Sequence, residues 1–104
     1  MRTVVWSGRG LVQLKAAIDY LAERNLVASQ RLEARIAETV ANLARRPIGR
    51  PGHQPETYEK RITDTPYLIV HELVGGPEGD LRILRLFHLS QDWTGWKPGP
   101  DDIA

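Results

Sequence analysis

Residues 32–47 read L-E-A-R-I-A-E-T-V-A-N-L-A-R-R-P, and this stretch decides the fold. Its large apolar residues recur at spacings of three and four, which places them on one face of a helix. They are Leu32, Ile36, Val40 and Leu43. Basic residues favour the negative end of a helix and proline prevents its continuation, so we expect the helix to end at Arg45-Arg46-Pro47.

A stripe of small residues runs beside the apolar one. It consists of Ala34, Ala37, Ala41 and Ala44. Upstream, residues 8–24 carry leucine and isoleucine at helical spacing; Ser7 stands at the N-cap position, and Asn25 suits a left-handed stop. Two helices joined by a few residues pack antiparallel. We therefore expect the alanine stripe to let the two helix axes approach closely.

Strand patterns flank this helix hairpin on both sides. β-branched and aromatic residues predict a strand at residues 2–6, before the first helix. After the second helix, prolines and glycines predict a loop without regular structure at residues 47–55. Three strands are then predicted at residues 58–62, 67–74 and 81–88.

The last strand is expected to lie inside the sheet. In it Leu81, Ile83, Arg85 and Phe87 should share one face, and both faces carry apolar side chains. This pattern indicates helices on one face and a partner or the C-terminal tail on the other. The element order predicts an α+β fold, with an N-terminal strand, an antiparallel helix hairpin and a three-stranded antiparallel meander. We expect one domain at residues 1–93 and a polar tail at 94–104.

The composition excludes several classes of protein. A chain of 104 residues suffices for one compact domain, and the absence of cysteine excludes disulfide scaffolds and thiol nucleophiles. No apolar run approaches the roughly 18 residues that span a membrane, and the N-terminus does not resemble a signal peptide, so a cytoplasmic protein is expected. The net charge of +1 argues against direct nucleic-acid binding. Eleven of the 14 cations are arginines, which suit pairing with carboxylate or phosphate.

The histidines do not predict a catalytic, cofactor or metal site. His53 lies in the Pro/Gly loop and is expected to be solvated. His71 and Glu72 are neighbours in a strand, so their side chains should point to opposite faces rather than form an acid/base pair. His88 closes the last strand, where a structural hydrogen bond is expected. A metal site needs several convergent ligands, and no spacing offers them.

Five segments of the chain together resemble a known family. They read W-S-G-R-G-L-V-Q-L at residues 6–14, Y-L-A-E-R-N at 20–25, L-A-R-R-P-I-G-R-P-G at 43–52, T-P-Y-L-I-V at 65–70, and I-L-R-L-F-H with Q-D-W at 83–88 and 91–93. In this order and spacing they are similar to ParE-type toxins of the RelE/ParE superfamily. The resemblance extends from about residue 4 to residue 93.

The resemblance implies the toxin of a type II toxin–antitoxin module. Such a toxin is not an enzyme and needs no cofactor: it inhibits DNA gyrase by protein–protein binding. A ParD-like antitoxin neutralises it in a hetero-oligomer, through a disordered C-terminal segment that folds along the toxin and follows a DNA-binding N-terminal half. Arginines are candidates for pairing with acidic groups of that segment. They are Arg31, Arg35, Arg45, Arg61, Arg82 and Arg85.

The C-terminal tail carries the candidate target contacts. Large aromatic residues in a polar segment either pack back or meet a partner. We expect Trp93 to pack on the sheet. For Trp96, with Lys97 beside it, packing on the sheet and contact with the target both remain open, and our hypothesis is that Trp96 and Lys97 contact the target.

Two other functions remain open. The RelE branch of the superfamily cuts messenger RNA in the ribosome with cations on the middle strands. Of the positions that align with those cations, only Arg61 is basic, since Glu59, Leu68 and residues 89–91 are not, so we expect no ribonuclease activity. The chain could also have lost toxicity and serve only to bind an antitoxin.

Overall fold

The computed structural model describes residues 2–46, 49–76 and 78–99, and within them the helix hairpin is confirmed. Helix α1 spans Gly8–Ala22 and helix α2 spans Leu26–Arg45. Ser7 caps α1 as expected, since its side chain accepts a hydrogen bond from the Gly10 amide. The expected left-handed stop at Asn25 is wrong: Asn25 is extended, with φ at −158°, and caps α2 by accepting from the Ala28 amide.

The strands form a single sheet with the order β1-β5-β4-β3-β2. Their bounds are Val4–Trp6, Arg50–Pro51, Tyr58–Arg61, Tyr67–Val74 and Asp80–His88 for β1 to β5. The α+β class and the antiparallel meander of β3, β4 and β5 are confirmed, but the sheet as a whole is mixed because β1 pairs parallel with β5.

The short strand β2 lies in the segment that we expected to be an irregular loop. Arg50 and Pro51 pair with Glu59 and Tyr58 of β3. Proline is tolerated there because β2 is an edge strand.

Both faces of the sheet are covered, as the sequence predicted. The helices cover one face, over a core of Leu32, Ile36, Leu43, Ile62, Ile69, Leu81, Ile83 and Leu86. On the other face the tail residues Trp93 and Trp96 pack against a second cluster, which consists of Leu68, Val70, Leu84 and Phe87.

The expected alternation along the last strand fails in the middle of β5. The pairing register with β4 shifts by one residue, so that Val70 faces Arg85 while His71 faces Ile83. Leu84 is the extra residue of this β-bulge. The bulge moves Leu86 onto the helix-covered face together with Ile83, whereas strict alternation would have separated them.

Candidate partner-binding surface

The alanine stripe of α2 does not lie against α1. Ala34, Ala37 and Ala41 are exposed, and only Ala44 is buried. The expected role of the stripe in helix–helix packing is therefore wrong: the two helices meet through larger residues such as Leu14 and Ile18, which pack on the core. Periodicity could not predict this exposure, because alanine occurs on both the buried and the exposed sides of helices and so does not indicate which side faces the core.

Three residues of the stripe, Ala37, Ala41 and Ala44, instead belong to one wall of a groove of about 430 Å³, which we call the apolar groove. The other wall is built by β1 and α1. The lining residues are Arg2, Val4, Trp6, Leu14, Glu33, Ile36, Ala37, Val40, Ala41 and Ala44. Eight of these 10 residues are apolar, so the groove suits apolar side chains of a partner.

One rim of the apolar groove is the open edge of the sheet. Strand β1 is the terminal strand, and it pairs with β5 on one side only. Along the described chain no strand covers its other edge, so backbone groups remain for an added strand. A partner could therefore place apolar side chains in the groove and pair an extended segment with the edge of β1.

The opposite side of α2 carries three of the six candidate arginines. Arg31 and Arg35 line a cleft of about 560 Å³, in which Tyr20, Leu32 and Tyr67 supply apolar surface. Arg35 also lines a second cleft of about 400 Å³ that contains Arg45. Positions 31, 35 and 45 face one side because steps of about 100° per residue place all three within an arc of about 80° around the helix axis.

The remaining candidate arginines are separated from this side of α2. Arg61 is exposed on β3. Arg82 donates to Glu72 across 3.2 Å, and both side chains are partly buried. Arg85 lies over the Trp96 ring, 5.1 Å from its centroid. The last two guanidinium groups therefore already have partners within the chain.

The two candidate target contacts differ in exposure. Trp96 is half-buried and lies edge-on to Phe87, with 5.9 Å between the ring centroids. Trp93 packs on the same cluster, which confirms its predicted position on the sheet. Lys97 is exposed. A contact between the tail and a target stays a prediction. The Trp96 ring also packs on the second cluster of the sheet, so it contributes to the fold in either case.

Glu59 ties the segment before β3 to the sheet, a role that the sequence analysis missed. Its carboxylate is 3% exposed and accepts hydrogen bonds from Arg50 at 3.2 Å and from the His53 Nδ1 at 2.8 Å. Burial opposes ionisation, but hydrogen bonds from His53 and Trp93 hold the pKa of Glu59 below its ordinary value. His53 is exposed, as expected, and its ring also hydrogen-bonds to Glu59, a contact that the sequence did not predict.

The other two histidines have structural surroundings. The His88 Nδ1 accepts from the Ser90 amide at 3.0 Å, which confirms the expected hydrogen bond. His71 is fully buried and stacks on Tyr58, with the ring centroids 5.8 Å apart. Burial lowers the pKa of His71 to about 4, so the ring is neutral at pH 7. Glu72 pairs with Arg82 instead, so His71 and Glu72 form no acid/base pair.

The described residues contain neither a cluster of metal ligands nor a membrane-spanning helix. Across residues 2–46, 49–76 and 78–99, no group of three His, Cys, Asp or Glu side chains could hold a metal ion. In the same part of the chain, no helix is long and apolar enough to cross a membrane.

Comparisons with known proteins agree with this architecture. A family model, described as the ParE toxin of type II toxin–antitoxin system, parDE, matches residues 4–93. A solved structure from the chromosomal ParDE TA system of P. aeruginosa matches with a TM-score of 0.75 at 20% sequence identity, covering 85% of this chain and 96% of that chain. At this identity the likeness shows a shared fold. No curated protein sequence matches.

Proposed function

The chain belongs to the ParE toxin family of type II toxin–antitoxin systems, and on that basis we propose that a ParD-like antitoxin holds it inactive and that the released toxin inhibits DNA gyrase by binding it. The antitoxin supplies a DNA-binding N-terminal half and a C-terminal segment that folds on the toxin. The two proteins form a hetero-oligomer in the cytoplasm.

The apolar groove is the observation that carries the antitoxin part of this proposal. In the free chain Val40 and Trp6 are half-exposed beside the exposed residues Ala37 and Ala41, so apolar surface is left in contact with water. An amphipathic segment of a partner would cover all four side chains. The small side chains of Ala37 and Ala41 let a helix approach closely, and the free edge of β1 accepts extended chain. An interface of this kind buries well over ~1,000 Å² in total.

Arg31 and Arg35 supply the charged part of the antitoxin contact. Both line the cleft that also offers Tyr20 and Tyr67, so an acidic residue beside an apolar one fits there. Arg35 now pairs with Asp64 across 3.4 Å at an exposed position, and such a pair exchanges partners at little cost. Arg82 and Arg85 would first have to leave Glu72 and Trp96, which makes them weaker candidates.

Two positions of the RelE-type cationic site support binding rather than catalysis. Glu59 aligns with one of those cations, and its buried carboxylate is occupied by Arg50 and His53. Leu68 aligns with another and is fully buried in the sheet. Neither side chain supplies the positive charge that a phosphodiester transition state requires.

The proposal is tested first at the apolar groove. Ala41→Glu places a negative charge in a groove whose lining is mostly apolar, and we expect the loss of at least about 2 kcal/mol of antitoxin binding, a decrease of roughly 30-fold in affinity. Ala34→Glu is the matched control, because Ala34 is exposed on the same helix but does not line the groove. The partner is the protein encoded by the adjacent open reading frame, and calorimetric titration gives both affinities. Equal losses would place the antitoxin elsewhere.

The target is tested with purified toxin. We expect inhibition of supercoiling by gyrase and intact ribosome-bound messenger in a translating extract. Codon-specific cleavage of the messenger at low toxin concentration would instead assign the chain to ribonuclease chemistry. Failure in both assays, with antitoxin binding retained, would indicate a binding module without toxicity.

A further inference from the structure

The C-terminal half of α2 and strand β3 enclose a cleft with an unusual lining, which we call the basic cleft. Its volume is about 400 Å³. The lining residues are Arg35, Glu38, Thr39, Asn42, Leu43, Arg45, Arg46, Lys60 and Thr63. Four of these nine residues are cations and one is an acid, although the whole chain carries a net charge of only +1.

Helix capping accounts for only part of this charge. A cation in the last turn offsets the partial negative charge at the C-terminus of a helix, and Arg45 occupies that position, hydrogen-bonded to Asn42. Arg35 has Asp64 as its partner. Within the described residues, Arg46 and Lys60 take part in no ion pair, and both are exposed. The cleft therefore keeps an excess of positive charge that faces solvent.

The remaining lining residues discriminate between an acidic peptide and a phosphate backbone. Leu43 is the one large apolar residue among the described lining residues, and it is only 2% exposed, so a peptide finds no apolar anchor there. Thr63 and Asn42 offer the hydroxyl and amide groups that accompany Arg and Lys at phosphates. No aromatic ring lines the described part of the cleft, which removes the stacking platform that single strands use.

The dimensions of the cleft fit several successive phosphates. Arg35 and Arg46 are separated by roughly 16 Å along the helix axis. One strand of a duplex places a phosphate about every 3.4 Å along its axis, so this distance corresponds to about five nucleotide steps.

We propose that the basic cleft binds the phosphate backbone of duplex DNA, without sequence preference. This contact is separate from gyrase binding, because the toxin itself binds the DNA. Only the choice of DNA over duplex RNA rests on the proposed function, since gyrase acts on DNA. The net charge of +1 argued against nucleic-acid binding, but it is a sum over the whole chain and does not reveal the local excess of cations in the basic cleft.

The test uses the 104-residue chain without antitoxin and a fluorescein-labelled 20-base-pair duplex (about two helical turns) of arbitrary sequence. Anisotropy titrations at increasing salt give the affinity and its salt dependence. With about three phosphates neutralised, affinity should fall roughly 40-fold between 50 and 200 mM salt. A duplex RNA of the same length, titrated in parallel, should bind more weakly.

Charge-reversal variants localise the contact. Arg46→Glu combined with Lys60→Glu should lower DNA affinity at least tenfold and reduce the salt slope by about 2. Lys15→Glu combined with Arg24→Glu makes the same change in net charge at exposed positions outside the cleft, and should change affinity less than about threefold. Thermal melting by circular dichroism verifies that all variants fold.

Each other outcome contradicts the proposal. Absence of duplex binding at 50 mM salt, or equal losses in both double variants, would leave the cleft without a DNA contact. Tighter binding of duplex RNA would assign the cleft to RNA. If Arg46→Glu with Lys60→Glu keeps DNA affinity but loses antitoxin affinity in a separate calorimetric titration with antitoxin, the cleft binds an acidic peptide instead. Because these titrations contain no gyrase, their failure is distinct from failure of gyrase inhibition.

Discussion

Replacing Ser7 by alanine tests how α1 is fixed on the sheet. The Ser7 side chain is fully buried, accepts from the Gly10 amide at 3.0 Å and donates to the Leu84 carbonyl at 2.6 Å. Leu84 is the bulge residue of β5, so one hydroxyl caps the helix and satisfies the irregular strand. The approach is close: a Cβ on Gly10 would lie 3.2 Å from the same carbonyl oxygen.

The magnitude follows from the two hydrogen bonds. Loss of an N-cap costs about 1 kcal/mol, and a buried carbonyl left without its partner adds about 1 to 3 kcal/mol. We therefore expect Ser7→Ala to lower the free energy of unfolding by about 2 to 4 kcal/mol, or the melting temperature by roughly 10–25 °C. Asn25→Ala is the matched control, because Asn25 also caps a helix but is exposed, and among the described residues its side chain accepts only from the Ala28 amide.

Urea unfolding followed by circular dichroism measures both variants. Asn25→Ala should lose about 1 kcal/mol. The difference between the variants isolates the bond from Ser7 to Leu84. If Ser7→Ala loses no more than Asn25→Ala, the bulge carbonyl does not depend on Ser7, and the account of how α1 docks is wrong.

Two further predictions concern the tail and a buried histidine. Trp96→Ala should lower the free energy of unfolding by about 2 kcal/mol, because the half-buried ring packs on Phe87, whereas Lys97→Ala should leave melting unchanged. Gyrase inhibition that is undiminished in both variants would exclude the tail as the target contact. Burial lowers the pKa of His71 from 6.5 to about 4. Between these pH values the unfolded chain binds a proton that the folded chain does not. The free energy of unfolding therefore falls as the pH decreases through this window, by up to about 3 kcal/mol. His71→Phe keeps the ring that stacks on Tyr58 and should flatten this dependence, and an unchanged pH profile would assign it to other groups.

The regular parts of the fold could be predicted because periodicity encodes them. Apolar spacing in α2 and the patterns of β4 and β5 follow directly from which face is buried. The bulge at Leu84 could not be predicted, because a period of two assumes that no residue is inserted into the ladder. Strand β2 was missed for a related reason, since proline argues against a strand except at an edge, and the sequence does not say which strands are edges.

The candidate site was only partly predictable. Arg31, Arg35 and Arg45 share one side of α2 because helical spacing brings them there. Pairs such as His53 with Glu59 depend on how a Pro/Gly segment folds back on the sheet, and no local pattern encodes that contact. The apolar groove was missed because it lies between elements that are distant in the sequence.

The central claim is that the antitoxin occupies the apolar groove along α2, and a thiol-protection measurement tests it most directly. The chain contains no cysteine, so Ala41→Cys and Ala34→Cys each introduce a single reactive thiol on the same helix. The rate of thiol modification, followed by the intact mass of the toxin, is compared with and without saturating antitoxin. We expect at least ~10-fold slowing at position 41, where a close-packed interface excludes the reagent, and no change at position 34. Equal rates at position 41 with and without bound antitoxin would contradict the account.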